Sequence, residues 1–159
     1  MPSSARSYDV FLSYAHADAA PAQTLDVLLR AQRLRTFFDR RELRAGLRWI
    51  TALEEAIESS GAVAILIGQH GLGNTQQYER QLALVQQTKD RDFPVVPVLL
   101  PGCEKPPAGF LELLTWVDLR DGIGVNDQPG GLQSLLAAIR REPVAIPWTL
   151  ASHSSGPRT

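Results

Sequence analysis

The spacing of apolar and polar positions switches repeatedly between strand-like and helix-like along the chain. Residues 8–14 (YDVFLSY) are short, aromatic and β-branched, which predicts a strand. It runs into AHADAA, where Asp18 can cap a helix and Pro21 fits the first turn. Leu25, Leu28, Leu29 and Leu34 then recur at helical spacing and predict a helix over 21–34. Thr36, Phe37 and Phe38 form a brief second strand, followed by a loop through Gly46. Ile50, Leu53 and Ile57 mark one face of a helix over 47–59. Residues 62–67 (AVAILI) lack polar alternation, as in a strand covered on both faces. A loop over 68–75 with three glycines leads to a helix over 76–88, with Tyr78, Leu82 and Val85 on its apolar side. Residues 93–100 predict a fourth strand, in which Pro97 calls for a bulge or an unpaired side. A proline-rich loop over 101–109, a fifth strand over 115–119 and a last helix over 132–139 complete the pattern.

Strands alternating with helices imply right-handed crossovers and a parallel sheet with helices on both faces, a three-layer α/β fold. In such sheets ligands bind beyond the carboxyl ends of the strands. Attention therefore falls on residues 13–18, 39–46, 68–75 and 101–109.

Length and composition narrow the class. The 159 residues suit one domain with a single substantial core, expected over 8–148. Residues 1–7 read as a flexible N-terminus and 149–159 as a disordered tail or linker. A net charge of -1 gives no basic field of the kind nucleic acid requires. The single cysteine, Cys103, excludes an internal disulfide, and no Cys/His cluster has zinc spacing. The longest aliphatic run, 62–67, is too short to cross a bilayer, so a cytoplasmic domain without membrane contact is expected. There is no P-loop, no dinucleotide-binding glycine fingerprint and no nucleophile elbow. A phosphoacceptor receiver would need acids where this chain has SYAHAD and IGQHG.

Several residues at the predicted strand ends carry candidate chemistry. Ser13, Tyr14 and His16 can offer backbone and hydroxyl donors to a ligand, although a serine there is ordinarily a turn former. Asp39 directly follows a strand and either contacts a ligand or caps its loop. Trp49 borders the same region or packs against the loop, whereas Phe11 and Trp116 read as core. Glu79 sits just past the glycine-rich loop; alone, it reads as a solvated first-turn glutamate favoured by the helix dipole. His70 in the preceding loop reads as incidental. Arg30, Arg33, Arg35, Arg40, Arg41, Arg44 and Arg48 fall within nineteen residues containing only two acids. They form either a solvated surface or, through Arg40, Arg41 and Arg44, a contact for assembly or for a diphosphate.

The opening YDVFLSYAHAD, Phe38-Asp39 followed by Leu43 and Gly46, Trp49 with Ala52, Ile57 and Ser59-Ser60, FPVVPVLLPG and TWVDLRDG occur in a familiar order. Together they resemble the Toll/interleukin-1 receptor (TIR) domain family in its bacterial form, over roughly residues 7–141. The resemblance implies a flavodoxin-like five-stranded parallel sheet of order 2-1-3-4-5. It also implies NAD+ as a substrate rather than a cofactor, with cleavage of the nicotinamide–ribose bond and Glu79 as the catalytic carboxylate. The family's tryptophan, four residues earlier, is replaced by Thr75, and Tyr78 is the aromatic nearest the glutamate. Ser13, Tyr14, His16, Asp39, Trp49 and Tyr78 are then expected around the substrate. Arg40, Arg41, Arg44 and Gly46 are expected in a loop that docks on another TIR domain in a homo-oligomer or filament. A fused or separate sensing domain is a further expected partner. Two alternatives stay open: a non-catalytic TIR–TIR interaction module, and a nucleoside deoxyribosyltransferase-like enzyme.

Overall fold

The computed structural model describes residues 6–38, 48–104, 115–123 and 131–142. Along these the chain forms β1 (Val10–Ser13), a 3-10 turn (His16–Asp18), α1 (Ala19–Ala31), β2 (Thr36–Phe37) and α2 (Trp49–Glu58). Then come β3 (Val63–Ile67), α3 (Asn74–Lys89), β4 (Val95–Leu99), β5 (Val117–Asp118) and α4 (Leu132–Ile139). The strands form one parallel sheet in the order β2-β1-β3-β4-β5. This is the flavodoxin-like order that the resemblance implies, and it agrees with the parallel sheet that the sequence pattern predicts. The winding direction reverses between β1 and β3, and in open α/β sheets the crevice that takes ligands lies at such a switch point, beyond the carboxyl ends of the strands.

Strand alternation distributes the apolar side chains over two cores. Val10, Leu12, Ala64, Leu66 and Val98 face α1 and α4, where Leu25, Leu29, Leu132, Leu135 and Leu136 close the first core. Phe11, Val63, Ile65 and Ile67 face α2 and α3 with Leu53, Ile57 and Ala83 in the second. Phe11 stacks on Phe37 at 4.9 Å between ring centroids, tying the two-residue edge strand β2 to β1. Each fully buried leucine contributes about 2 kcal/mol.

Pro97 fits without a bulge. Leu100 N donates to Ile67 O on the β3 side, whereas Leu99 O accepts from Leu119 N on the β5 side. By alternation the Pro97 nitrogen faces β5, where registered pairing begins only at Val98. The missing donor therefore falls where no ladder bond is required.

Other expectations need correction. α1 stops at Ala31, because Arg33 adopts φ 66° and reverses the chain, so Leu34 is buried outside the helix. Asp18 occupies the cap position of α1 but makes no side-chain cap bond, its carboxylate lying against Gly68 instead. Trp116 is only half-buried; Val117 and Leu119 supply the core of that strand. The apolar side expected for the third helix is largely its outer side, with Tyr78 and Val85 exposed. The face turned inward is Gln76, Glu79 and Ala83. Among the described residues no helix is long and apolar enough to cross a membrane.

Candidate functional site

The crevice between β1 and β3 is built by polar side chains that the fold buries. Ser13, the last residue of β1, is fully buried. By alternation it lies on the same side of the sheet as Phe11, the side covered by α3. Beyond it, the 3-10 turn carries Asp18 into the interior, against the loop that leaves β3. A Cβ on Gly68 would stand 2.1 Å from Asp18 Oδ1, so only glycine permits this approach. Gly73 is constrained likewise, since its Cβ would meet that of Ala15 at 2.9 Å. The loops after β1 and β3 thus close on each other through two glycines.

Gln76 joins the same elements by hydrogen bonds. Its Nε2 donates to Ser13 O at 3.0 Å and to Leu66 O at 2.6 Å, while its Oε1 accepts from Gly73 N at 2.8 Å. Glu79 follows three residues later on the same face of α3, and both side chains have no solvent exposure. Ala83 continues the stripe, its small side chain letting the helix approach the sheet. Tyr78, beside Glu79 in sequence, is half exposed on the outer surface.

Burial pushes the Asp18 carboxyl above its ordinary value; the nearby His70 and the Gly68 N–H, which favour the carboxylate, offset this only in part. Among the described residues, Ser13 Oγ and Asp18 Oδ2 are buried without a hydrogen-bond partner. Such atoms are costly unless a water or ligand engages them. Ser13, Asp18, Gln76 and Glu79 thus give the crevice hydroxyl, carboxyl and amide groups in a poorly solvated setting, where electrostatic interactions are strengthened. No group of three or more metal-ligating side chains occurs among the described residues.

The structure brings some of the sequence-derived candidates together and separates others. Ser13 and Glu79 share the α3 side of the crevice. Tyr14 turns to the opposite face, packs on the α1/α4 core and stacks on Phe38 at 5.0 Å, its hydroxyl donating to Phe38 O at 3.4 Å. His16 is exposed on the 3-10 turn. Trp49 begins α2, and its side chain lies outside the described set, as does that of Thr75. Asp39, Arg40, Arg41, Arg44 and Gly46 lie outside the described residues.

Of the arginine-rich stretch, Arg30, Arg33 and Arg35 stand away from this crevice. They line an open depression of about 480 Å³ with Ser7, Tyr8, Leu34 and Thr36, at the amino edge of the sheet. Sequence reasoning missed Gln76 and treated Asp18 as a cap. The available signal for Gln76 was the capping-box position, three residues after the helix-starting glycine. Nothing in the sequence marked its donation to two strands.

A family model described as the TIR domain matches residues 10–136. The chain is 24% identical to the TIR domain of the Toll-related receptor TRR-2 from Hydra magnipapillata, with a TM-score of 0.65. That match covers 84% of this chain and 98% of the other. It is 22% identical to a metazoan TIR-STING receptor from C. gigas in complex with 2′,3′-cGAMP, with a TM-score of 0.66. Here the match covers 92% of this chain and 43% of the receptor. Both likenesses are of fold, and no curated protein matches the chain significantly. With four-fifths of its length under the family model and the strand order in agreement, the chain belongs to the TIR domain family.

Proposed function

We propose that this TIR domain is an NAD+ glycohydrolase of the bacterial type, with Glu79 as the catalytic carboxylate. The observation that carries this reading is the placement of Glu79: fully buried, on the sheet-facing side of α3, at the crevice where ligands bind in this topology. A carboxylate there meets the requirement of the chemistry. As the bond between C1′ and the nicotinamide nitrogen breaks, its electron pair neutralises the pyridinium and leaves positive charge on the ribose. A nearby carboxylate stabilises that oxocarbenium-like state, and the neutral leaving group needs no general acid. Water adds to C1′ and releases a proton to give ADP-ribose; attack by the adenine of the same molecule gives a cyclic product instead.

Glu79 has no exposed surface, so substrate entry requires the crevice to open. Self-association, through the loop containing Arg40, Arg41, Arg44 and Gly46, is the proposed trigger, raising local concentration and completing the pocket. Other TIR domains, and a sensing domain fused or separate, are the proposed partners in cytoplasmic signalling or antiphage immunity. Nicotinamide release is measured with NAD+ over a range of protein concentrations. Release that rises more steeply than protein concentration and disappears in Glu79→Gln supports the reading. Release unaffected by Glu79→Gln removes the assignment of Glu79.

A second reading, a non-catalytic interaction module, is favoured by the complete burial of Glu79 beside the exposed Tyr78 and Val85 of the same helix. Concentration-dependent assembly without nicotinamide release, even in oligomers stabilised by cross-linking, selects this reading.

A further inference from the structure

We propose that Gln76 is the positioning residue for Glu79, an amide clamp that sets the depth and rotation of α3 against the sheet. This rests on the glycohydrolase reading. It adds a residue to that site, one outside the carboxylate and aromatic positions that the resemblance implies.

The decisive geometry lies where the β1/β3 ladder ends. Their registered pairs stop at Ser13↔Ile65. Phe11 N donates to Ala62 O, so the even-numbered residues of β3 turn their backbone groups toward β1. Leu66 O is the next carbonyl on that side beyond the last pair, and it takes the Gln76 amide instead of a strand N–H. The second amide hydrogen goes to Ser13 O, the carbonyl of the final β1 residue. One side chain therefore bridges two adjacent strands at the switch point. Its oxygen meanwhile holds Gly73 N, the residue from which α3 starts.

Helix capping alone does not explain this arrangement. A capping glutamine needs only its oxygen and ordinarily stands in water. Burying the whole amide carries a desolvation cost that the two strand carbonyls offset. What the burial adds is geometry, because three fixed acceptors and donors on three segments leave the first turn of α3 a single seat. Glu79 lies one turn further on the same face, so its carboxylate inherits that seat. A displacement of about 1 Å at a reacting group is enough to cost about 100-fold in rate.

The test compares Gln76→Met, which keeps the volume and loses the clamp, with Gln76→Glu and with Leu25→Ala. The last removes core packing on the opposite face of the sheet and serves as a stability control. All are assayed for nicotinamide release where circular dichroism shows them folded. Gln76→Met is expected to lose about 100-fold in kcat with KM for NAD+ within about twofold, while Leu25→Ala retains kcat. Gln76→Glu can donate one hydrogen bond only while its introduced carboxyl is protonated. Its kcat is therefore expected to recover toward acid pH along a limb absent from wild type. Equal kcat losses in Gln76→Met and Leu25→Ala, or no acid recovery, overturn the proposal.

A second readout does not depend on turnover. In a Cys103→Ser background, the thiol introduced by Glu79→Cys is expected to resist maleimide and to become at least about tenfold more reactive when Gln76→Met is added. Unchanged reactivity overturns the clamp even if wild type cleaves NAD+. If wild type releases no nicotinamide but the thiol becomes exposed, the glycohydrolase reading fails and the clamp stands.

Discussion

At the amino edge of the sheet, the Asp9 carboxylate accepts hydrogen bonds from the Arg35 backbone N–H and guanidinium, and Arg35 also donates to Arg6 O. Asp26 pairs there with Arg30 and with the Thr36 hydroxyl, while Arg141 reaches Asp90 and Gly61 O. At the carboxyl edge, Ser13, Asp18, Gln76 and Glu79 are buried, and two of their polar atoms have no partner among the described residues. Apart from Asp26 and Thr36, which are buried and hydrogen-bonded to each other, the first edge uses exposed or half-exposed charge, where each pair adds little and tolerates change. The second places polar groups out of water, where each must be matched and each change is felt. The contrast supports the proposal that the carboxyl edge is the functional one.

The largest effect is expected at Gln76. Removing its amide by Gln76→Ala leaves two strand carbonyls and one loop N–H without their present partner, for an expected loss of about 3 kcal/mol in urea unfolding. Gly68→Ala comes next, since the added Cβ would overlap Asp18 and force the loop apart. About 2 kcal/mol is expected, and the double variant with Asp18→Ala should recover part of it.

Asp18→Asn probes the buried edge through pH. A carboxyl whose folded pKa is raised above 3.8 imposes no penalty when protonated in both states, and lowers stability as pH rises through its folded value. The stability of Asp18→Asn relative to wild type should therefore increase from about pH 4 upward. No trend in that difference between acid and neutral pH would contradict the assignment.

The smallest effect is expected at the amino edge. Burial tends to raise the Asp9 carboxyl, but the bonds from Arg35 outweigh it and hold the group below 3.8. Its contribution is present above that value and lost as pH falls through the folded one. Asp9→Asn should cost no more than about 1 kcal/mol at pH 7 and converge with wild type in acid. A loss as large as that of Gln76→Ala would erase the distinction between the edges.

Much of the fold is legible in the sequence because burial of whole strands leaves a one-dimensional trace. The unbroken AVAILI of β3 and the leucines of α1 and α4 state their environments directly. The third helix shows where that logic stops. Tyr78 and Val85 look like an inner face and are exposed, while Gln76 and Glu79 look like an outer face and are fully buried. Hydrophobic periodicity assumes that the inside is apolar, and at the switch point it is not. Asp18 misleads for the same reason: its type and position suit a cap, but the absent Cβ of Gly68 leaves room for its carboxylate inside. Glu79 is singled out by family resemblance, whereas the clamp proposed to seat it depends on the end of a strand ladder, which the sequence does not display.

The proposed role of the buried Glu79 carboxylate in NAD+ cleavage is decided by following nicotinamide release over about a hundredfold range of protein concentration, with wild type and Glu79→Gln side by side. The account predicts release that grows faster than protein concentration in wild type and is absent from the folded variant. Equal release from both proteins, or none from wild type at any concentration, would contradict it.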